Sequence, residues 1–139
     1  MALSDGARAG MAAGALDGLI RAGEDLLGRS QRLAPVEEGT LRGSAALTVI
    51  VDGRRYEGAT SRGHAEAAAR AAARAGRTPS LEVEVSFNTV YAARQHEELG
   101  WSHPLGGQAK YLQAPLLAQS ARYSRIIALA AQRGAQRGA

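Results

Sequence analysis

The chain contains no cysteine, so neither a disulfide framework nor a thiolate metal site is open to it. Lysine is nearly absent: Lys110 stands alone among 17 basic residues, and all the others are arginine. Arginine suits interfacial ion pairs and phosphate contacts better than lysine does, although heavy Arg, Ala and Gly usage also follows from a GC-rich genome. Aromatics supply only 4% of residues, so the 45% hydrophobic content rests largely on alanine. Side chains that small make a thin core, and a single domain of 139 residues built on one is expected to cover its apolar faces by assembly. No apolar run reaches about 18 residues, so no transmembrane helix and no membrane partner are expected. The N-terminus lacks the basic-then-apolar order of a secretion signal.

What is present divides at residues 33–44. Before them, residues 1–33 read as one long helix, with Leu16, Leu19, Ile20, Leu26, Leu27 and Leu33 near one face. Gly6, Gly10, Gly14 and Gly18 recur every fourth residue. They read either as a smooth stripe admitting another backbone or as a frayed segment before Ala15. Pro35 biases Ala34 away from helix, and Gly39 permits a turn, so the chain changes here from helix to sheet.

Residues 44–60 read as a β-hairpin closed by Asp52-Gly53. Residues 61–77 are rich in Ala and Arg, with Arg70 and Arg74 on one face. They read as a basic helix near nucleic acid or, preferably, as a solvated helix or loop with too few apolar anchors. Residues 81–88 alternate strictly: Leu81, Val83, Val85 and Phe87 on one side, Glu82, Glu84, Ser86 and Asn88 on the other. Glu82 and Glu84 are placed to pair across strands with Arg54 or Arg55. Residues 90–99 read as a short helix ended by Gly100, and residues 115–132 as a last helix with Pro115 in its first position. A polar, mobile tail is expected to follow. The fold class is α+β, with the long N-terminal and C-terminal helices packed on a small antiparallel sheet of three to four strands.

Chemistry is thinly signalled. His96, Glu97, Glu98 and His103 suggest a metal site, but the two histidines are seven residues apart across Gly100 rather than one helical turn apart. No Gly-x-Ser-x-Gly turn and no phosphate-binding Gly-rich loop is present. No cofactor and no enzymatic activity are expected. Trp101, the only tryptophan, reads as an interface anchor in preference to a core lid.

Two separated segments carry a resemblance. Leu33-Ala34-Pro35-Val36-Glu37-Glu38-Gly39-Thr40-Leu41-Arg42-Gly43-Ser44 resembles an Ala-Pro-Val-Asp-Thr-Gly-x-Leu-Arg-x-Ser signature. Asn88-Thr89-Val90-Tyr91-Ala92, His96-Glu97, Gly107-Gln108-Ala109-Lys110-Tyr111-Leu112 and Pro115-Leu116 follow in the matching order. Together they are similar to the head–tail joining proteins of tailed bacteriophages, also called tail-completion, neck or minor capsid proteins and related to the lambda tail-completion protein. Glu37-Glu38 in place of Asp-Thr and the long Ala/Arg-rich insert depart from the pattern.

The resemblance implies a non-enzymatic virion component, made in the host cytoplasm and located in the neck. It implies a ring of copies, commonly hexameric, that completes or terminates the tail. The implied neighbours are connector or stopper proteins on one side and tail-tube or tail-terminator proteins on the other. A ring contact joins two different patches. The expected acidic patch is Glu82 and Glu84 or Glu97 and Glu98; the expected basic patch is Arg42, Arg54, Arg55 or the Arg70/Arg74 segment. A channel for DNA would present some arginines to it without sequence-specific or tight binding. The alternative function is a small basic nucleic-acid-binding module.

Overall fold

The computed structural model describes residues 3–33, 45–87, 91–97 and 110–139. Helix α1 (Asp5–Leu33) begins where the Ser4 hydroxyl accepts the Ala7 N–H at 3.0 Å, which satisfies one of the donors left open at a helix start. Asp5 in its first turn and Arg32 in its last both complement the helix dipole. Strands β1 (Ala45–Val51) and β2 (Arg54–Glu57) form the expected hairpin, whose second strand stops at Glu57, short of the expected residue 60. Asp52 and Gly53 take positive φ of 49° and 82°, as the tight turn between twisted strands requires. The Asp52 carboxylate accepts the Ser80 N–H at 2.9 Å, and this ties the turn to the start of the next strand.

A single 3-10 turn (Ala59–Ser61) leads into α2 (Arg62–Arg74). This helix ends at Gly76, φ 84°, with Arg77 N–H donating to the Ala72 carbonyl and Gly76 N–H to that of Ala73. The expectation of an unanchored segment fails here. Ala65, Ala69, Ala72 and Ala73 are buried, the first two completely, and they bring α2 against α1. A methyl is enough to anchor a helix when the opposing surface is also made of small residues and the backbones approach closely.

Strands β3 (Leu81–Phe87) and β4 (Tyr91–Glu97) complete an antiparallel sheet in the order β2-β1-β3-β4. Of the short helix expected over residues 90–99, the described part, residues 91–97, is therefore a strand. Tyr91 pairs with Phe87 and Glu97 with Leu81, so this stretch is the outer strand. Its residues are ordinary helix formers, but the free flank of β3 offers a full ladder of hydrogen bonds, and a nonlocal partner of that kind overrides weak local preference.

Helix α3 (Lys110–Gly138) is longer at both ends than the sequence suggested. Pro115 is buried inside the helix rather than at its first position, and costs one backbone bond to the preceding turn. The tail is helical too, and the reason lies in α1. An ideal Cβ on Gly10 would lie 2.1 Å from the Gly134 carbonyl oxygen, and one on Gly6 would lie 2.3 Å from that of Gly138. Farther along, a Cβ on Gly14 would lie 2.2 Å from the Ala130 carbonyl oxygen and one on Gly18 would lie 2.7 Å from Ile127 Cα. The fourfold glycine stripe is thus a backbone-to-backbone seam with the antiparallel α3, which holds both ends in place.

The two long helices and α2 all pack on one face of the sheet. Val49, Val51, Leu81 and Val83 meet Leu16 and Leu19 of α1, Ile127 of α3 and the alanines of α2. A neighbouring cluster joins Ala22, Leu26, Val85, Leu116 and Tyr123. At Gly23 α1 lies directly on the sheet: a Cβ there would come within 2.6 Å of Val83 Cγ1 and 2.8 Å of Leu47 Cδ1.

Candidate functional site

The strand register divides the charged residues from the core. Thr48, Ile50, Arg55, Glu57, Glu82 and Glu84 belong to the sheet face turned away from the helices, since Val49, Val51, Val83 and Val85 occupy the other. Arg55 stands opposite Ile50, and Thr48 stands opposite Glu84. The Arg55 guanidinium reaches across β1 to the Glu84 carboxylate at 2.7 Å. That bridge lies over the middle strand, where Thr48 is 6% and Ile50 7% exposed. Glu84 is 7% exposed. Its hydrogen bond, followed by the charges of Glu84, Glu57 and Glu82, raises the Arg55 pKa against the opposing effect of burial. A buried carboxylate held this way stabilises only while its partner remains.

Arg55 with Glu84 is one of the cross-strand pairs the sequence suggested, and the two charges are bound to each other within the chain. Arg54 lies with its guanidinium carbon 5.4 Å from the centre of the Tyr56 ring. Arg70 is paired with Glu66 at 3.6 Å along α2. Arg74, the last residue of α2, is exposed and makes no ion pair with a described residue. Glu82 is half-buried, with His96 of β4 opposite it in the ladder, as Arg94 is opposite Glu84. Glu97 ends β4 and is not on a helix. Arg42, Glu98, Trp101 and His103 lie outside the described residues. Among the described residues no group of three or more His, Asp or Glu is placed to hold a metal ion, and no helix is long and apolar enough to cross a membrane.

The sequence reading missed one cluster altogether. Asp25 Oδ2 on α1 accepts from Tyr123 Oη at 2.6 Å, Arg29 Nε at 2.7 Å and an Arg122 guanidinium nitrogen at 3.2 Å. Burial pushes the Asp25 pKa up, but hydrogen bonds from Tyr123 and Arg29 and the charges of Arg29 and Arg122 outweigh it and hold the carboxyl below its ordinary value. Burial, then the hydrogen bond and charge of Asp25, raise the Tyr123 hydroxyl above its ordinary range. Tyr123 is fully buried. A buried tyrosine needs a partner for its O–H, and Asp25 with Arg29 four residues on was the legible half of the pair. The cluster ties α3 to α1 just beyond the Gly18 end of the glycine seam.

Between the helices, an open groove is lined by Gly10, Gly14 and Gly134. Asp17 with Arg21 and Glu66 with Arg70 form ion pairs along its walls. Each pair is internal to one helix, and Arg137 lines the groove as well, so its charged lining has more arginines than carboxylates. No protein-family model, curated protein or solved structure matches the chain.

Proposed function

We propose that the chain is a structural subunit of the neck of a tailed bacteriophage, forming a ring that completes or terminates the tail and joins it to the head connector. It acts by binding neighbours, not by catalysis. The observation that carries this reading is the ordered pair of segments, 33–44 and 88–116, with Pro35, Gly39, Leu41, Arg42, Tyr91, Ala92, His96, Tyr111 and Leu112 in the pattern's order. The architecture is compatible with it. Three helices occupy one face of a four-stranded sheet, and the other face carries charged side chains. A ring subunit needs two different surfaces, one for each neighbour.

The nucleic-acid alternative has less support. Arg55, Arg62, Arg70 and Arg77 are each drawn to a carboxylate of the same chain, namely Glu84, Glu24, Glu66 and Asp52. Phosphate contacts would compete with those pairs. The deciding experiment is electron microscopy and infectivity of particles made without this protein. The expected result is filled heads and free tails that fail to join; joined, infectious particles would overturn the reading.

A further inference from the structure

The chain's positive charge is unevenly placed. Helix α3 carries Lys110, Arg122, Arg125, Arg133 and Arg137 and no acidic residue. The rest of the chain holds 12 basic and 13 acidic residues, so the chain's excess of positive charge comes entirely from this one helix. Most of these cations have a local reason. Arg122 is bound to Asp25, and Arg133 and Arg137 fall in the last turns, where the helix dipole favours them. Arg125 has none: it is exposed, lies mid-helix and makes no ion pair with a described residue.

The same side of α3 is apolar. Leu117 is 57% and Leu129 49% exposed, and Ala121 and Ala128 between them are exposed as well. At helical spacing these residues and Arg125 form a ribbon over about a third of the circumference. It lies opposite the buried Leu116, Tyr123, Ile127 and Ala130. Among the described residues, nothing packs on these leucines to account for them.

We propose that this ribbon is a docking surface for a different protein chain that presents carboxylates around an apolar centre. The chemistry of the surface stands by itself; that the occupant is a neighbouring neck layer rests on the function proposed above. A second copy of this chain fits poorly. Helix α3 against helix α3 would oppose like charges, and among the described residues Asp17, Glu24, Asp52, Glu57 and Glu66 are already engaged by arginines of their own chain. A nucleic-acid backbone fits poorly too, because it would set two leucines against phosphates with one guanidinium between them.

The test is a titration of the full chain with a fluorescent synthetic helical peptide that carries a leucine stripe flanked by glutamates, beside a short DNA duplex. Arg125→Glu and Leu117→Ser are each expected to weaken peptide binding about tenfold, because one reverses a contact charge and the other removes apolar contact. Arg74→Glu, a change to an exposed arginine on α2, is expected to leave it unchanged. Both α3 residues are exposed, and circular dichroism verifies that the variants stay folded. Peptide binding that is absent, or indifferent to Arg125→Glu, would overturn the proposal. So would tighter duplex binding through the same arginine, or a self-association that Arg125→Glu abolishes. Particles carrying both α3 substitutions that still join heads to tails would overturn the docking surface and leave the neck function standing. Particles lacking the chain altogether that still join would overturn the neck function alone.

Discussion

Replacing Gly134 by alanine tests the seam between the long helices. The new methyl would sit 2.0 Å from the Gly10 carbonyl oxygen and 2.9 Å from its carbon. Carbon–oxygen contacts settle near 3.3 Å or more, so the helices must part by about 1 Å at this level. The clash is with backbone, which no rotamer change relieves. In an unobstructed helix the same substitution would stabilise by about 1 kcal/mol, since alanine is the better helix former. Opening the seam works against that gain. A gap of this size forfeits about a quarter to a half of the dispersion attraction of each contact it separates. The neighbouring contacts of Gly6 with Gly138 and Gly14 with Ala130 are separated with it. Overpacking of this kind costs about 1–3 kcal/mol or more, so the expected net loss is about 1–2 kcal/mol.

Gly63→Ala in α2 is the matched control, because an added Cβ there meets nothing within 4 Å. It is expected to stabilise by about 0.5 kcal/mol. Urea unfolding followed by circular dichroism reads both, with the midpoint moving in opposite directions at constant slope. Gly10→Ala, whose methyl would lie 2.1 Å from the Gly134 oxygen, should match Gly134→Ala. The double variant should lose less than the sum, because the first substitution has already opened the gap. A Gly134→Ala protein stabilised as much as Gly63→Ala would refute the seam.

The Asp25 cluster predicts a pH dependence. The folded pKa of Asp25 lies below its unfolded value of 3.8, so the stability it contributes is complete above that value and lost as pH falls through the folded one. Asp25→Asn should cost about 1–3 kcal/mol at neutral pH and flatten the acid limb of a stability profile. An unchanged acid limb would count against the cluster. Tyr123 is shifted the other way: its contribution is complete below the ordinary 10.0 and is lost as pH rises toward the higher folded value. Tyr123→Phe should therefore make the alkaline loss shallower. On the sheet, Glu84→Gln should cost about 1–2 kcal/mol because it weakens a buried pair. Glu57→Gln, 73% exposed and 3.9 Å from Arg55, should change stability by less than about 0.5 kcal/mol. Equal losses at the two positions would mean that the Arg55 bridge does not form.

Much of the architecture was written in local pattern. Alternation from Leu81 to Phe87 fixed the core side of β3, Asp52-Gly53 fixed the hairpin, and the leucine spacing fixed the buried side of α1. These are signals between near neighbours, readable without knowing what lies across. The candidate site was less legible, because it depends on reach. Arg55 and Glu84 were recognised as possible partners, but not that the arginine would close over β1 to reach a carboxylate buried on the next strand.

The sequence by itself determined the element types wherever a period was strong, the balance of charge and the existence of a fourfold glycine stripe. Only the tertiary structure decided what the stripe was for, that a string of alanines could anchor α2, and that residues 91–97 would be a strand. The reason is common to all three. Small side chains have little preference of their own, so their conformation and their burial are set by whichever backbone comes close enough to meet them.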